Sequence, residues 1–201
     1  MIDLHCHWVA SIDDGARSVA DSRALLQGLR DIGFERCIAT PHMRPGMFDN
    51  LAEDLRRAYA ATVAGLGDTS GLPAIGLSSE HWFDDQVFQR LLEGDALPYP
   101  GGHAALVEFP NQAFPARVAH RFFDLRRRGL RPVLAHPERY EPVWKDPTVL
   151  DPLVDGGTLL LLDVAALAGK YGRTPRKVAQ QLLEEGYYYA ACSDAHHVRD
   201  V

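Results

Sequence analysis

Seven times along this chain a short apolar run leads to a histidine or an acid. Six of the runs lie near residues 2–7, 37–40, 73–77, 104–107, 132–135 and 187–191, and they lead to His7, His42, Glu80, Glu108, His136 and Asp194. A seventh run, 158–162, leads to Asp163. Short apolar or aromatic runs of this length read as buried strands. Between them lie longer stretches with helical spacing. Ser18 opens one, with Leu25, Leu26 and Leu29 on one face and Gly33 at its end. Others are expected over 51–66, over 115–128 with Pro115 near the first position, over 147–154, and from a Thr174 cap to 185. Residues 84–102 read as irregular, one helical turn and then a Pro/Gly loop.

Strand-then-helix repeats imply parallel strands with crossover helices. An open doubly wound sheet and a closed barrel both satisfy that alternation. The polar strand ends favour the barrel, because a barrel gathers all its C-terminal strand ends on one face. An open sheet would spread six such ends along a row too long for them to meet. The chain shows no linker or low-complexity stretch, so residues 1–201 are expected to form one α/β domain.

Singly, these residues have ordinary readings: Glu80 as a surface acid, Asp194 as a helix cap, His136 as a satisfied core histidine. Six together at strand ends point to a metal cluster. In a strand His5 and His7 share a face and Cys6 takes the other. Imidazole and carboxylate without thiolate suit a catalytic Mn, Fe or Zn site and not a structural zinc. His81, one residue beyond Glu80, is expected to point away. His103 and His120 read as bystanders, and His197 stays open.

Other chemistries are excluded. The residues six beyond Cys6, Cys37 and Cys192 are Ile12, Met43 and Val198, so no cysteine-phosphatase loop with its arginine exists. There is no nucleophile-elbow serine motif and no phosphate-binding P-loop. The formal charge of -6 disfavours nucleic acid or an anionic membrane as partner. No signal peptide is visible, and the longest apolar stretch, near 159–162, is too short to insert in a membrane. Three cysteines, odd in number and far apart, suit reduced thiols in a cytoplasm.

The set His5-Cys-His7, Asp13-Asp14-Gly15, Thr40-Pro-His42, Gly46-Met47-Phe48, Ser79-Glu80, Val107-Glu108-Phe109, His136-Pro-Glu-Arg139-Tyr140 and Ser193-Asp194-Ala-His196 resembles the polymerase-and-histidinol-phosphatase (PHP) superfamily. Within it, the chain is similar to the metal-dependent tyrosine-protein phosphatases of bacterial capsule and exopolysaccharide loci. The resemblance covers nearly the whole chain. Many relatives carry histidine where this chain has Glu108.

The resemblance implies a distorted (β/α)7 barrel of the PHP type holding three divalent metal ions, manganese first, with iron or zinc as alternatives. His5, His7, Glu80 and Asp194 would surround the first ion. Glu80 would bridge to a second, completed by Glu108 and His136. His42 and His196 would hold a third with Asp13 or Asp14. Strand parity with His5 and His7 favours Asp13 as ligand, which leaves Asp14 for general-acid catalysis; either assignment stays open. Arg139 would grip the phosphate. The implied substrate is the phosphotyrosine tail of a bacterial tyrosine kinase that controls polysaccharide export. Two other readings stand beside it: a small-molecule phosphomonoesterase of the histidinol-phosphatase kind, and a non-catalytic metal-bound regulator. The family pattern continues beyond Val201 with a further arginine and a helix, and Arg199 is the candidate to replace that arginine. Nothing in the sequence sets an oligomeric state.

Overall fold

A computed structural model describes residues 1–201. Its strands are β1 (Ile2–Cys6), β2 (Arg36–Ala39), β3 (His42–Met43), β4 (Ala74–Leu77), β5 (Glu80–Trp82), β6 (Ala104–Glu108), β7 (Arg131–Ala135), β8 (Leu159–Asp163) and β9 (Ala190–Cys192). All ladders are parallel, as expected. They fall into a sheet ordered β1-β2-β4 and a second ordered β3-β5-β6-β7-β8-β9.

Nine strands replace the seven expected because two runs break. The second breaks at Thr40-Pro41, between β2 and β3, and the third at Ser78-Ser79, between β4 and β5. Pro41 has no N–H to give a ladder. Its carbonyl instead accepts the Ser79 hydroxyl at 2.8 Å. Each broken run serves both sheets, so the wall still has seven staves in sequence. Its outer edges meet: the His7 N–H donates to the Ala195 carbonyl at 2.9 Å, and the Asp194 N–H donates to the His5 carbonyl at 3.0 Å. The staves therefore follow one another in barrel order, joined by seven ladders at six seams and by one pair of hydrogen bonds at the last.

The helices are α1 (Val19–Asp31), α2 (Ala52–Leu66), α3 (Asp85–Glu93), α4 (Val118–Arg127), α5 (Glu141–Lys145), α6 (Asp151–Asp155), α7 (Val164–Ala168) and α8 (Arg173–Glu184). Ser18 caps α1 by accepting the Asp21 N–H at 3.1 Å. Three expectations need correction. Residues 84–102 hold a full helix, α3, because Asp84 accepts the Val87 N–H at 2.8 Å and Gly94 closes the last turn in the left-handed region. Helix α4 begins at Val118, since Arg117 has φ 57° and cannot continue a helix back to Pro115. Helix α8 is preceded by Gly172, so Thr174 lies inside it and caps nothing.

Apolar side chains form an outer shell between staves and helices, including Phe83, Phe109, Leu125, Leu134 and Leu182. A smaller cluster of Leu106, Val133, Ala135, Leu161 and Cys192 stands apart. By strand alternation Leu106 shares a face with Glu108, Leu161 with Asp163 and Cys192 with Asp194. This cluster therefore floors the site built above it. The three cysteines are free and buried.

Candidate metal centre

The C-terminal strand ends converge. His5 sits in β1 and His7 just beyond it. The His5 Nε2 lies 3.2 Å from His7 Nε2, 3.2 Å from Glu80 Oε2 and 3.2 Å from Asp194 Oδ1. His7 Nε2 lies 3.5 Å from each of the same two oxygens. A tetrahedron of ligands about 2.1 Å from a central ion has edges of about 3.4 Å. Five edges of this group match that size.

Glu80 is the hub. Its Oε1 is 3.0 Å from His136 Nε2, and its Oε2 is 3.1 Å from His42 Nδ1. His136 Nε2 is 3.9 Å from Glu108 Oε1. On the far side of His42, its Nε2 stands 3.5 Å from Asp14 Oδ1, which is also 3.5 Å from His196 Nε2. Three groups of potential ligand atoms result: His5, His7 and Glu80; His42, Glu80 and Glu108; and His7, Asp14, His42 and His196.

Asp13 is placed differently from Asp14. Its buried carboxylate accepts from His7 Nδ1 at 2.8 Å, from the His42 N–H at 3.1 Å and from the Gly15 N–H at 2.9 Å. This fixes the His7 tautomer with Nε2 turned toward the cluster. The turn that brings both acids here needs Gly15, because a Cβ at that position would overlap the His7 carbonyl oxygen and Cβ. His196 is oriented the same way, its Nδ1 at 3.0 Å from the Asp194 carbonyl.

The charge balance fits a cation site. Burial and the Glu80 charge push the Glu108 carboxyl up to about 8, with His42, Arg139 and Arg44 opposing. Burial, then the Arg139 charge, drives His136 down to about 4. Asp14 is held well below the usual carboxylate range by hydrogen bonding to His196 and then His42. Asp194 Oδ1 and His42 Nδ1 are buried and, despite neighbours at 3.2 Å and 3.1 Å, make no well-aligned hydrogen bond, and Glu108 Oε2 is buried without one as well. Buried polar atoms are almost always paired. Orphans converging on one spot, with an O/N donor set, suit divalent metal ions.

The motif from His136 to Tyr140 forms a tight turn in which His136, Glu138, Arg139 and Tyr140 take different tasks. His136 takes φ 33°, a costly conformation for a residue with a side chain, and reaches Glu80. Glu138 is buried and accepts the Asp163 N–H at 3.0 Å and the Tyr188 hydroxyl at 3.0 Å. Tyr140 donates to the Ala135 carbonyl at 2.9 Å and accepts the Phe109 N–H at 3.1 Å, tying the ends of β7 and β6 together. Arg139 NH1 donates to Asp194 Oδ2 at 2.7 Å, and its guanidinium lies over the Tyr171 ring at 4.6 Å.

His81 is buried away from the cluster, with Nδ1 on the Leu106 carbonyl at 2.7 Å and Nε2 accepting the Leu97 N–H at 3.2 Å. His103 and His120 are exposed. Sequence reasoning passed over several supporting residues. The Phe48 ring stacks on His42 at 5.3 Å. Asn50 holds the loop by donating to the His42 and Ile12 carbonyls. Tyr171 backs Arg139, and Glu138 fixes the turn beside it through the Asp163 N–H and the Tyr188 hydroxyl. Phe48 and Glu138 lie inside quoted motifs, whereas Asn50 and Tyr171 left no signal in the sequence.

Residues 1–200 match the family described as capsular polysaccharide synthesis, CpsB/CapC. The chain is 31% identical over 199 residues to tyrosine-protein phosphatase YwqE of Bacillus subtilis, covering 99% of this chain and 78% of that one. It is 24% identical to tyrosine-protein phosphatase CpsB of Streptococcus pneumoniae, covering 98% and 84%. In three dimensions it superposes with TM-score 0.92 and 30% identity on a structure from work on YwqE and CpsB as unique metal-dependent tyrosine phosphatases, covering 100% of this chain and 81% of that one. A Listeria monocytogenes lactonase, 12% identical with TM-score 0.51 and covering 98% and 78%, shares the fold alone. The chain belongs to the CpsB/CapC family of capsular polysaccharide synthesis.

Proposed function

We propose that this chain is a metal-dependent protein-tyrosine phosphatase that hydrolyses phosphotyrosine on a bacterial tyrosine kinase governing capsule or exopolysaccharide synthesis. The observation that carries the reading is the ring of strand-end ligands around Glu80, with a guanidinium at its edge, in a chain of this family. His5, His7, Glu80 and Asp194 would hold a first divalent ion. Glu80, Glu108 and His136 would hold a second. His42, His196 and Asp14 would hold a third, with manganese the favoured metal and iron or zinc the alternatives. Bound there, such ions acidify a water and neutralise charge on the phosphoryl oxygens.

The chain's own residues do the rest. Arg139 is fixed by Asp194 on one side and Tyr171 on the other. Its remaining N–H groups would bind two phosphoryl oxygens and orient the ester for in-line attack. Asp13 positions His7 and is spent on that task. Asp14 is the better ligand of the two, since its oxygen faces His42 and His196. Its depressed pKa makes it a poor proton donor, and a tyrosyl leaving group, with pKa near 10, demands little protonation. The buried free thiols support a reducing, cytoplasmic setting. No helix is long and apolar enough to cross a membrane, so a membrane-bound kinase would be the partner that brings the enzyme there.

The test is substrate competition. The metal-loaded enzyme should turn over a phosphotyrosyl peptide with a far higher kcat/KM than histidinol phosphate. The reverse preference would make it a small-molecule phosphatase. Full metal binding with no hydrolysis of any aryl phosphate would make it a regulator.

A further inference from the structure

A second arginine stands at the rim of the metal face. Arg44 follows His42 by two residues and opens a tight loop. Its backbone exchanges hydrogen bonds with Phe48, N–H to carbonyl at 3.0 Å and 2.8 Å, with Gly46 at φ 83° in the turn between them. Asn50 and the Phe48–His42 stack anchor this loop to the site. The Arg44 guanidinium lies over the Trp82 ring, 3.6 Å from its centroid. Trp82 is the register partner of Glu108 across β5 and β6. Arg44 therefore sits one side chain outward from a candidate metal ligand.

Arg44 is half-buried, yet its side chain makes no hydrogen bond and no ion pair. The contrast with Arg139, which contacts Asp194 at 2.7 Å, separates their tasks. Stacking on an indole fixes a guanidinium plane and leaves its edge N–H groups free for an oxyanion. Beyond Trp82 opens a cleft of about 500 Å³ that runs to Pro110 and Phe114. Its acids are already engaged: Asp85 with Arg121 at 2.6 Å, and Asp84 as the cap of α3. Arg44, stacked on the cleft's Trp82, has no such acidic partner.

We propose that Arg44, held on Trp82, is a specificity-determining residue that binds an oxyanion flanking the scissile phosphotyrosine, either a carboxylate or a second phosphotyrosine. The inference rests on the tyrosine-phosphatase reading. It makes the preferred substrate an acidic or multiply phosphorylated segment.

The test compares three phosphotyrosyl peptides that differ at one flanking position: alanine, glutamate, or a non-hydrolysable phosphonate analogue of phosphotyrosine. The wild-type protein and Arg44→Gln and Arg44→Lys are assayed at matched metal content. The wild type should prefer an anionic flank by roughly tenfold in kcat/KM, as one charge-assisted hydrogen-bonding contact provides. Arg44→Gln should bring that ratio to about one, and Arg44→Lys should keep part of it. The preference should weaken with added salt in the wild type and not in Arg44→Gln. Which anionic flank gains more identifies the source of the oxyanion. An unchanged ratio in Arg44→Gln overturns the inference. So does an equal loss on all three peptides, which would place Arg44 on the scissile phosphoryl group. Failure of the wild type to hydrolyse any of the peptides overturns the phosphatase reading along with it.

Discussion

Two sets of buried polar residues lie side by side in this molecule, and they are finished differently. Asp3, two residues before His5, is fully buried and satisfied. Its carboxylate accepts the Ser193 N–H at 3.0 Å and the Ser193 hydroxyl at 2.5 Å, and that hydroxyl in turn accepts the Ala195 N–H at 3.1 Å. His81, next to Glu80, likewise spends both ring nitrogens on backbone groups. The neighbouring His5, His42, Glu108 and Asp194 point at one another and leave orphaned atoms. A buried polar group without a partner is costly. Asp3 and His81 hold the staves together, whereas the orphaned oxygen and nitrogen atoms form a donor set that suits divalent cations.

That contrast predicts a ranking of effects. Glu80→Gln strikes the hub of the unsatisfied set and should lower phosphatase activity by at least about a thousandfold while removing bound metal, because it weakens two ion sites at once. Metal analysis of the purified variant checks this, and full metal content would contradict the bridging role. Arg139→Ala should cost about a hundredfold or more in kcat/KM with metal content retained. Equal loss of metal and activity would show that Arg139 acts by steadying Asp194 and not by gripping phosphate.

Asp13→Asn should weaken metal affinity or activity by about ten- to hundredfold through misoriented His7, and Asp14→Asn should selectively weaken the third ion. A metal titration of both variants distinguishes the two, and the opposite pattern would exchange their roles.

The smallest effect belongs to the satisfied set. Burial drives His81 down to about 4. Above its unfolded value near 6.5 the ring is neutral in both states, and its stabilisation is complete. As pH falls from about 6.5 to 4, the unfolded chain takes up a proton that the folded one refuses, and up to about 3 kcal/mol is lost. His81→Gln should therefore be about 1 kcal/mol less stable at pH 7.5 and should lose less on acidification. Urea unfolding at pH 7.5, 6 and 5 reads the difference. Parallel pH profiles for both proteins would show that His81 does not carry this dependence.

The strand ends were legible because parallel strands buried on both faces read as continuous apolar runs, so His42 or Glu108 at a run's end stands out. The interruptions at Thr40-Pro41 and Ser78-Ser79 were not, since nothing in the period changes where a strand bends. Helix α3 had its signals, Asp84, Gly94 and the Val87-Phe88-Leu91 face, but the Pro/Gly loop after it obscured them. Helices α5 and α7, five residues each, are too short for any period to show. Strand parity pointed to Asp13 as ligand; the turn built on Gly15 ends that parity, and only three-dimensional placement separates Asp13 from Asp14. The stacking of Arg44 on Trp82 joins residues 38 positions apart, and no local pattern encodes it.

The most direct measurement strips the protein with a chelator, verifies the metal-free state, and follows hydrolysis of a phosphotyrosyl peptide before and after manganese is returned. The account predicts loss of activity with the metal and recovery on its return, with up to three ions bound per chain. Undiminished hydrolysis by the metal-free protein would contradict it.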